Sequence, residues 1–116
     1  MSPRRSSAAR SAGLPDSAPV FAALGDETRL RLVARLSEGG RLSIARLTAG
    51  TKVTRQAVTK HLQVLAGAGL VRDSRQGRER LWELDPQQLQ EARRWLEVIS
   101  RDWDDALARL KSSVER

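Results

Sequence analysis

The chain has no cysteine and no tyrosine, a single histidine, and few aromatic side chains, three Trp and one Phe among 116 residues. Each shortage closes a route. Without thiols there is no disulfide and no thiolate metal site, so a zinc finger is ruled out and the chain suits a reducing compartment. With so few rings, stacking on single-stranded bases is poorly supplied. No uninterrupted apolar run approaches the roughly 20 residues of a membrane span, and the Arg-containing N-terminus lacks the apolar segment of a secretory signal. The expected location is the cytoplasm, with no membrane partner. There is no Gly-rich phosphate loop and no Cys nucleophile, and His61 has no evident Ser and Asp partners, so neither an enzyme nor a cofactor is expected. A chain of this length makes one domain with a modest core, the size of a binding module.

Basic charge, by contrast, is plentiful and gathered. The formal net charge is +7, and residues 41 to 80 hold all of it: nine basic groups (Arg41, Arg46, Lys52, Arg55, Lys60, Arg72, Arg75, Arg78, Arg80) against Asp73 and Glu79. Elsewhere the two signs balance. A polyanion such as a duplex would therefore be drawn to one region rather than to the protein at large, although a solvated basic face has the same composition.

Residues 1 to 18, with Pro3, Arg4, Arg5, Arg10 and Pro15 and almost nothing to bury, read as a flexible basic tail. Helical periodicity then begins. Val20, Phe21, Ala23 and Leu24 predict a short helix stopped by Gly25. Asp26 caps a second helix, whose stripe is Leu30, Val33, Ala34 and Leu36 with Leu32 flanking, ending at Gly39 and Gly40. Ser43 caps a third, shorter helix carrying Ile44, Ala45 and Leu47, and a turn through Ala49 and Gly50 leads to Thr54.

The segment that Thr54 opens is the most informative. Ala57, Val58, Leu62 and Leu65 fall on one side at helical spacing, while Arg55, Gln56, Thr59, Lys60 and Gln63 fall on the other. The second set can bond base edges or phosphates and adds little to a core. Helix, turn, helix is the arrangement in which one helix crosses the DNA backbone and the next enters a major groove about 12 Å wide. Gly67 and Gly69 end the helix. Leu70 to Ser74 and Arg80 to Leu84 are strand-like, joined by the polar stretch Arg75 to Glu79, a basic hairpin in the place of a wing.

Asp85 and Pro86 start a last helix that runs to about Lys111, leaving 112 to 116 as a tail. Leu89, Ala92, Leu96, Ile99, Trp103, Ala106 and Leu110 recur at intervals of three and four, a seam for packing along another helix. Its partner is either the chain's own helices or a second copy, with Trp95 and Trp103 as anchors of a homodimer. The expected fold is mainly α with a small β-hairpin: a winged helix-turn-helix over 19 to 111, of about five helices plus a two-stranded antiparallel wing, with the dimerisation helix at 86 to 111.

Phe-Ala-Ala-Leu-Gly-Asp-Glu-Thr-Arg-Leu-Arg-Leu-Val (21 to 33), Thr-Lys-His-Leu (59 to 62), Ala-Gly-Leu-Val (68 to 71) and Gln-Gly-Arg (76 to 78) together resemble the ArsR/SmtB family of winged helix-turn-helix repressors over residues 20 to 110. The resemblance implies a homodimer that binds inverted repeats of double-stranded DNA in bacterial promoters and often releases them when an effector binds. Carried over by position, Thr54, Arg55 and Gln56 match the start of the recognition helix, Thr59, Lys60 and His61 its middle, and Arg75, Arg78 and Arg80 the wing. Lys52 and Gln63 join this expected DNA-facing set. His61 reads either as packed or as a phosphate contact. Many sensors of the family hold metal through Cys on the helix before the recognition helix, or through His and acidic residues on the last helix. Residues 43 to 51 have no thiol and the last helix offers Asp102, Asp104 and Asp105 without His, so no metal site is expected. The acidic trio reads as a solvated face or a dimer rim. The alternative is a switch whose small-molecule or protein effector binds at the dimerisation helices.

Overall fold

The structure, a computed structural model, describes residues 17 to 115. The tail expected over 1 to 16 lies outside them. Helix α1 spans Ala18–Leu24, α2 Glu27–Gly39, α3 Ile44–Thr48, α4 Arg55–Gly67 and α5 Pro86–Val114, with strands β1 (Leu42–Ser43), β2 (Val71–Gln76) and β3 (Glu79–Leu84). Among the described residues these are the expected five helices and antiparallel hairpin. One strand was not expected: β1 pairs with β3, Leu42 opposite Trp82 and Ser43 opposite Leu81, so the wing is the outer part of a three-stranded sheet ordered β1-β3-β2.

Four helices begin where a side-chain oxygen accepts from the first turn. Asp26 accepts from the Arg29 amide at 3.0 Å, Ser43 from Arg46 at 3.2 Å, Thr54 from Ala57 at 3.1 Å and Asp85 from Gln87 at 3.3 Å. Each satisfies a backbone donor that a helix N-terminus leaves open. Helix α1 differs. Ser17 makes no side-chain cap and is itself buried, so Ser17 and Ala18 belong to the folded unit and not to a tail.

Three further boundaries or faces differ from expectation. In α2, Leu32 and Leu36 are buried while Leu30 is half exposed and Ala34 exposed, because Leu32 and Leu36 share the ridge that meets α4 and β3. The hairpin connection is two residues rather than five, since Arg75 pairs with Arg80 and Gln76 with Glu79. Gly77 takes φ 65 at the first turn position and Arg78 stays negative, the type II′ pattern that suits strand twist. Helix α5 continues to Val114, so residues 112 to 114 are helix rather than tail.

Trp82, Leu36, Leu47, Leu62, Leu65, Leu70, Val20 and Val58 are the largest fully buried side chains. They come from α1, α2, α3, α4 and β3 and from Leu70 between α4 and β2; β1 and β2 add Leu42 and Val71, and α5 adds Ala92 and, partly buried, Leu89. Trp95 meets Phe21 of α1 with ring centroids 5.6 Å apart. The expected dimer seam is therefore divided: Leu89, Ala92 and Trp95 pack within the chain, because α1 lies against this part of α5. Among the described residues from Leu96 to Glu115 no side chain is buried.

Candidate nucleic-acid interface

Short-range hydrogen bonds set the approach to α4. Gly50, with φ 77, turns the chain after α3. The Thr51 hydroxyl donates to the Thr48 carbonyl at 2.8 Å and accepts from the Val53 amide at 3.3 Å, and Thr54 then caps the helix. Ser and Thr close turns in this way by standing in for backbone groups.

Val58, Leu62 and Leu65 face the core, which leaves Arg55, Gln56, Lys60 and Gln63 exposed on the opposite side of α4. With Thr54, Thr59 and Ile44 they line one open groove along the helix. Thr59 is half-buried and its hydroxyl donates to the Arg55 carbonyl at 2.8 Å, so it has acceptor capacity left but no donor. Arg and Gln side chains here offer the paired donors and acceptors that read guanine and adenine edges.

Between Glu38 and Asp73 the chain has no carboxylate, a stretch that covers α3, the turn and the whole of α4. The sheet beyond is different. Glu83 on β3 accepts from Arg72 Nε at 3.0 Å and Arg41 Nε at 3.1 Å, and these bonds, Arg72's first, hold its carboxyl below the usual range. Arg72 also lies 3.8 Å from Asp85. Arg80 Nε donates to Asp73 at 2.6 Å and lowers that carboxyl in turn, while its guanidinium stands 4.7 Å from the centre of the Trp82 ring. Arg41, Arg72 and Arg80 are thus compensated inside the sheet. Glu83 and Asp85 lie just past residue 80, so the excess of +7 over 41 to 80 falls to +5 over 41 to 85. Arg46, Lys52, Arg55, Lys60, Arg75 and Arg78 remain exposed and outside the ion pairs among the described residues.

Of the residues expected at DNA, Thr54, Arg55, Gln56, Thr59, Lys60 and Gln63 share the groove, and Arg75 and Arg78 stand at the hairpin tip. Three are placed elsewhere. Lys52 lines a separate cavity beneath the turn. Arg80 is committed to Asp73 and Trp82. His61 turns toward α2, its Nδ1 3.2 Å from Arg29 Nη1. Arg29 gives no local sign of this role, because its partner is 32 residues away. Among the described residues no His, Asp and Glu cluster has three members able to hold a metal ion, and no helix is long and apolar enough to cross a membrane.

Comparison with known proteins agrees with this geometry. A family model described as a helix-turn-helix domain matches residues 24–73. An HTH-type transcriptional regulator of Mycobacterium tuberculosis, Rv2034, is 41% identical over 93 residues, covering 80% of this chain and 81% of the relative. The arsenical resistance operon repressor of Escherichia coli is 36% identical over 67 residues, covering 58% of this chain and 57% of that protein. Among solved structures, an ArsR-like transcriptional regulator from Rhodococcus sp. RHA1 superposes with TM-score 0.69 at 38% identity, covering 84% of this chain and 91% of that one. The chain belongs to the ArsR/SmtB family. As an ArsR/SmtB protein it is a winged helix-turn-helix transcriptional regulator and not an enzyme. The family's fold accounts for the order in which α3, α4 and the hairpin appear.

Proposed function

We propose that this regulator is a homodimeric repressor whose two α4 helices enter successive major grooves of an inverted repeat, with Arg75 and Arg78 of each hairpin at the flanking minor groove. The observation that carries the reading is the outer face of α4, where Arg55, Gln56, Lys60 and Gln63 line one groove with no carboxylate on the helix. Dimerisation is assigned to the second half of α5. There Leu96, Trp103, Leu107 and Leu110 stay about half exposed or more along one face, an apolar stripe that a helix in water leaves bare only when a partner covers it. Two recognition helices related by a two-fold axis require half-sites about 34 to 36 Å apart, one helical turn. The E. coli relative named above is a repressor of arsenical resistance; the absence of any Cys here removes the thiolate chemistry that a metalloid sensor would use. The signal, where there is one, is therefore not read by thiols.

Selection of bacterial genomic fragments on the purified protein tests the reading. A palindromic sequence should be enriched upstream of genes, and affinity for it should fall with salt at a log-log slope of about −5 to −9 if the dimer neutralises roughly six to ten phosphates. Enrichment of no common sequence, or a slope near zero, would contradict it.

A further inference from the structure

A cavity of about 580 Å³ opens between α2, α3 and the turn into α4. Small-ligand sites commonly fall between roughly 300 and 1,000 Å³. The floor is apolar, made by Leu32, Leu47 and Val58, all buried in the core. The rim is cationic: Arg31, Arg35 and Lys52 stand against one carboxylate, Glu38. Arg31 is ion-paired with Glu27. Arg35 is not neutralised in this way. One of its guanidinium nitrogens donates to the Arg46 carbonyl on α3 at 2.8 Å, which fixes the head, and it belongs to no ion pair among the described residues.

A backbone phosphate would satisfy the rim but has nothing to place on the floor. A neutral hydrocarbon would fill the floor and leave the cations unmatched. We infer that the cavity receives a small organic monocarboxylate, its head between Arg35 and Lys52 and its apolar body over Leu32, Leu47 and Val58.

The position also gives the sign of its effect. Lys52 and Val53 directly precede Thr54, the cap of α4, and Val58 is on α4 itself. A carboxylate on Lys52 neutralises an exposed cation two residues before the cap of α4 and adds negative charge beside the duplex. Occupancy therefore weakens DNA binding, and DNA weakens occupancy by the same factor. This coupling rests on the DNA-binding reading above, whereas occupancy of the cavity does not.

The test is an amide NMR titration of the labelled full chain with 1-naphthaleneacetate, 1-naphthaleneacetamide and inorganic phosphate, followed by duplex binding with and without the acid. The acid should give saturable shifts at Leu32, Arg35, Leu47, Lys52 and Val58, and the amide should bind about tenfold more weakly, a loss in the usual range for one charge-assisted contact. Phosphate should give no such pattern. Arg35→Gln should lower affinity for the acid about tenfold and leave duplex affinity within about twofold, and Ala34→Phe, from the exposed side of α2, should block the cavity mouth. Saturating acid should weaken duplex binding about fivefold or more, the lower end of ordinary allosteric coupling. Absence of saturable shifts at the cavity, an amide or phosphate that binds as well as the acid, or unchanged duplex affinity at saturation would each overturn the inference. Failure of the DNA reading would show separately, as no duplex binding before any acid is added.

Discussion

Arg29 and His61 join α2 to α4: Arg29 Nη1 lies 3.2 Å from His61 Nδ1 while Arg29 Nε donates to the Ala23 carbonyl of α1 at 2.5 Å. One guanidinium therefore ties three helices together, and the acceptor role at Nδ1 assigns the imidazole proton to Nε2. His61 sets the seat of the recognition helix rather than extending its outer face. His61→Ala should lower the unfolding midpoint and change the ratio of specific to non-specific duplex affinity by less than about twofold. Lys60→Ala, one residue earlier, should weaken binding to all duplexes and leave the midpoint unchanged. Calorimetry and anisotropy on both variants check this; loss of sequence preference in His61→Ala would put the imidazole at the bases.

Glu83, bridged by Arg72 and Arg41, and Asp73, paired with Arg80, have carboxyls held below their ordinary values of 4.5 and 3.8. A depressed folded-state value means stability that is complete above the unfolded value and disappears as pH falls through the folded one. The thermal midpoint should therefore be flat from pH 7 to about 5 and drop below about pH 4.5. Glu83→Gln should already be lower at pH 7 and show a shallower acid decline. Parallel profiles for the two proteins would mean that the bridge contributes nothing.

Gly69 sits at φ 79 where α4 gives way to β2, and a Cβ there would stand 2.8 Å from Gln88 Cγ on α5. Gly69→Ala meets both a left-handed backbone and a steric contact, at a cost of about 1 to 3 kcal/mol. Adding Gln88→Ala should recover only the steric part. Urea unfolding of the single and double variants separates the two; full recovery in the double variant would show the backbone conformation to be unstrained.

Leu107 is exposed on the face of α5 that carries Trp103 and Leu110. In the proposed dimer Leu107→Glu places a charge in an apolar seam, so the variant should sediment as a monomer at micromolar concentration and keep its helical content. Because a monomer presents one recognition helix, its affinity for a full palindrome should fall to that for a half-site. An unchanged sedimentation coefficient would move the interface elsewhere.

The caps were legible because they are local: Asp26, Ser43, Thr54 and Asp85 each act within three residues of themselves, and each was found where expected. The inner and outer faces of α4 were legible for the same reason, since 3.6-residue periodicity separates Val58, Leu62 and Leu65 from Arg55, Gln56 and Lys60. Long-range partners were not. A two-residue strand such as Leu42–Ser43 has no period to detect and depends on Trp82, forty residues on. Counting charge by sequence window overstated the free cations, because Glu83 reaches Arg41 and Arg72 across neighbouring strands. Leu30 and Leu32 differ by two positions on one helix, and only the packing of α4 and β3 decides which is buried.

The reading of duplex DNA by the outer face of α4 is tested most directly by fluorescence anisotropy of Arg55→Ala/Gln56→Ala on the selected operator and on a scrambled duplex of equal length. Losing two base-reading side chains at about 1 to 3 kcal/mol each should reduce the operator's advantage by at least about tenfold while affinity for the scrambled duplex changes little. An undiminished preference for the operator in the double variant would contradict the placement of α4 against the bases.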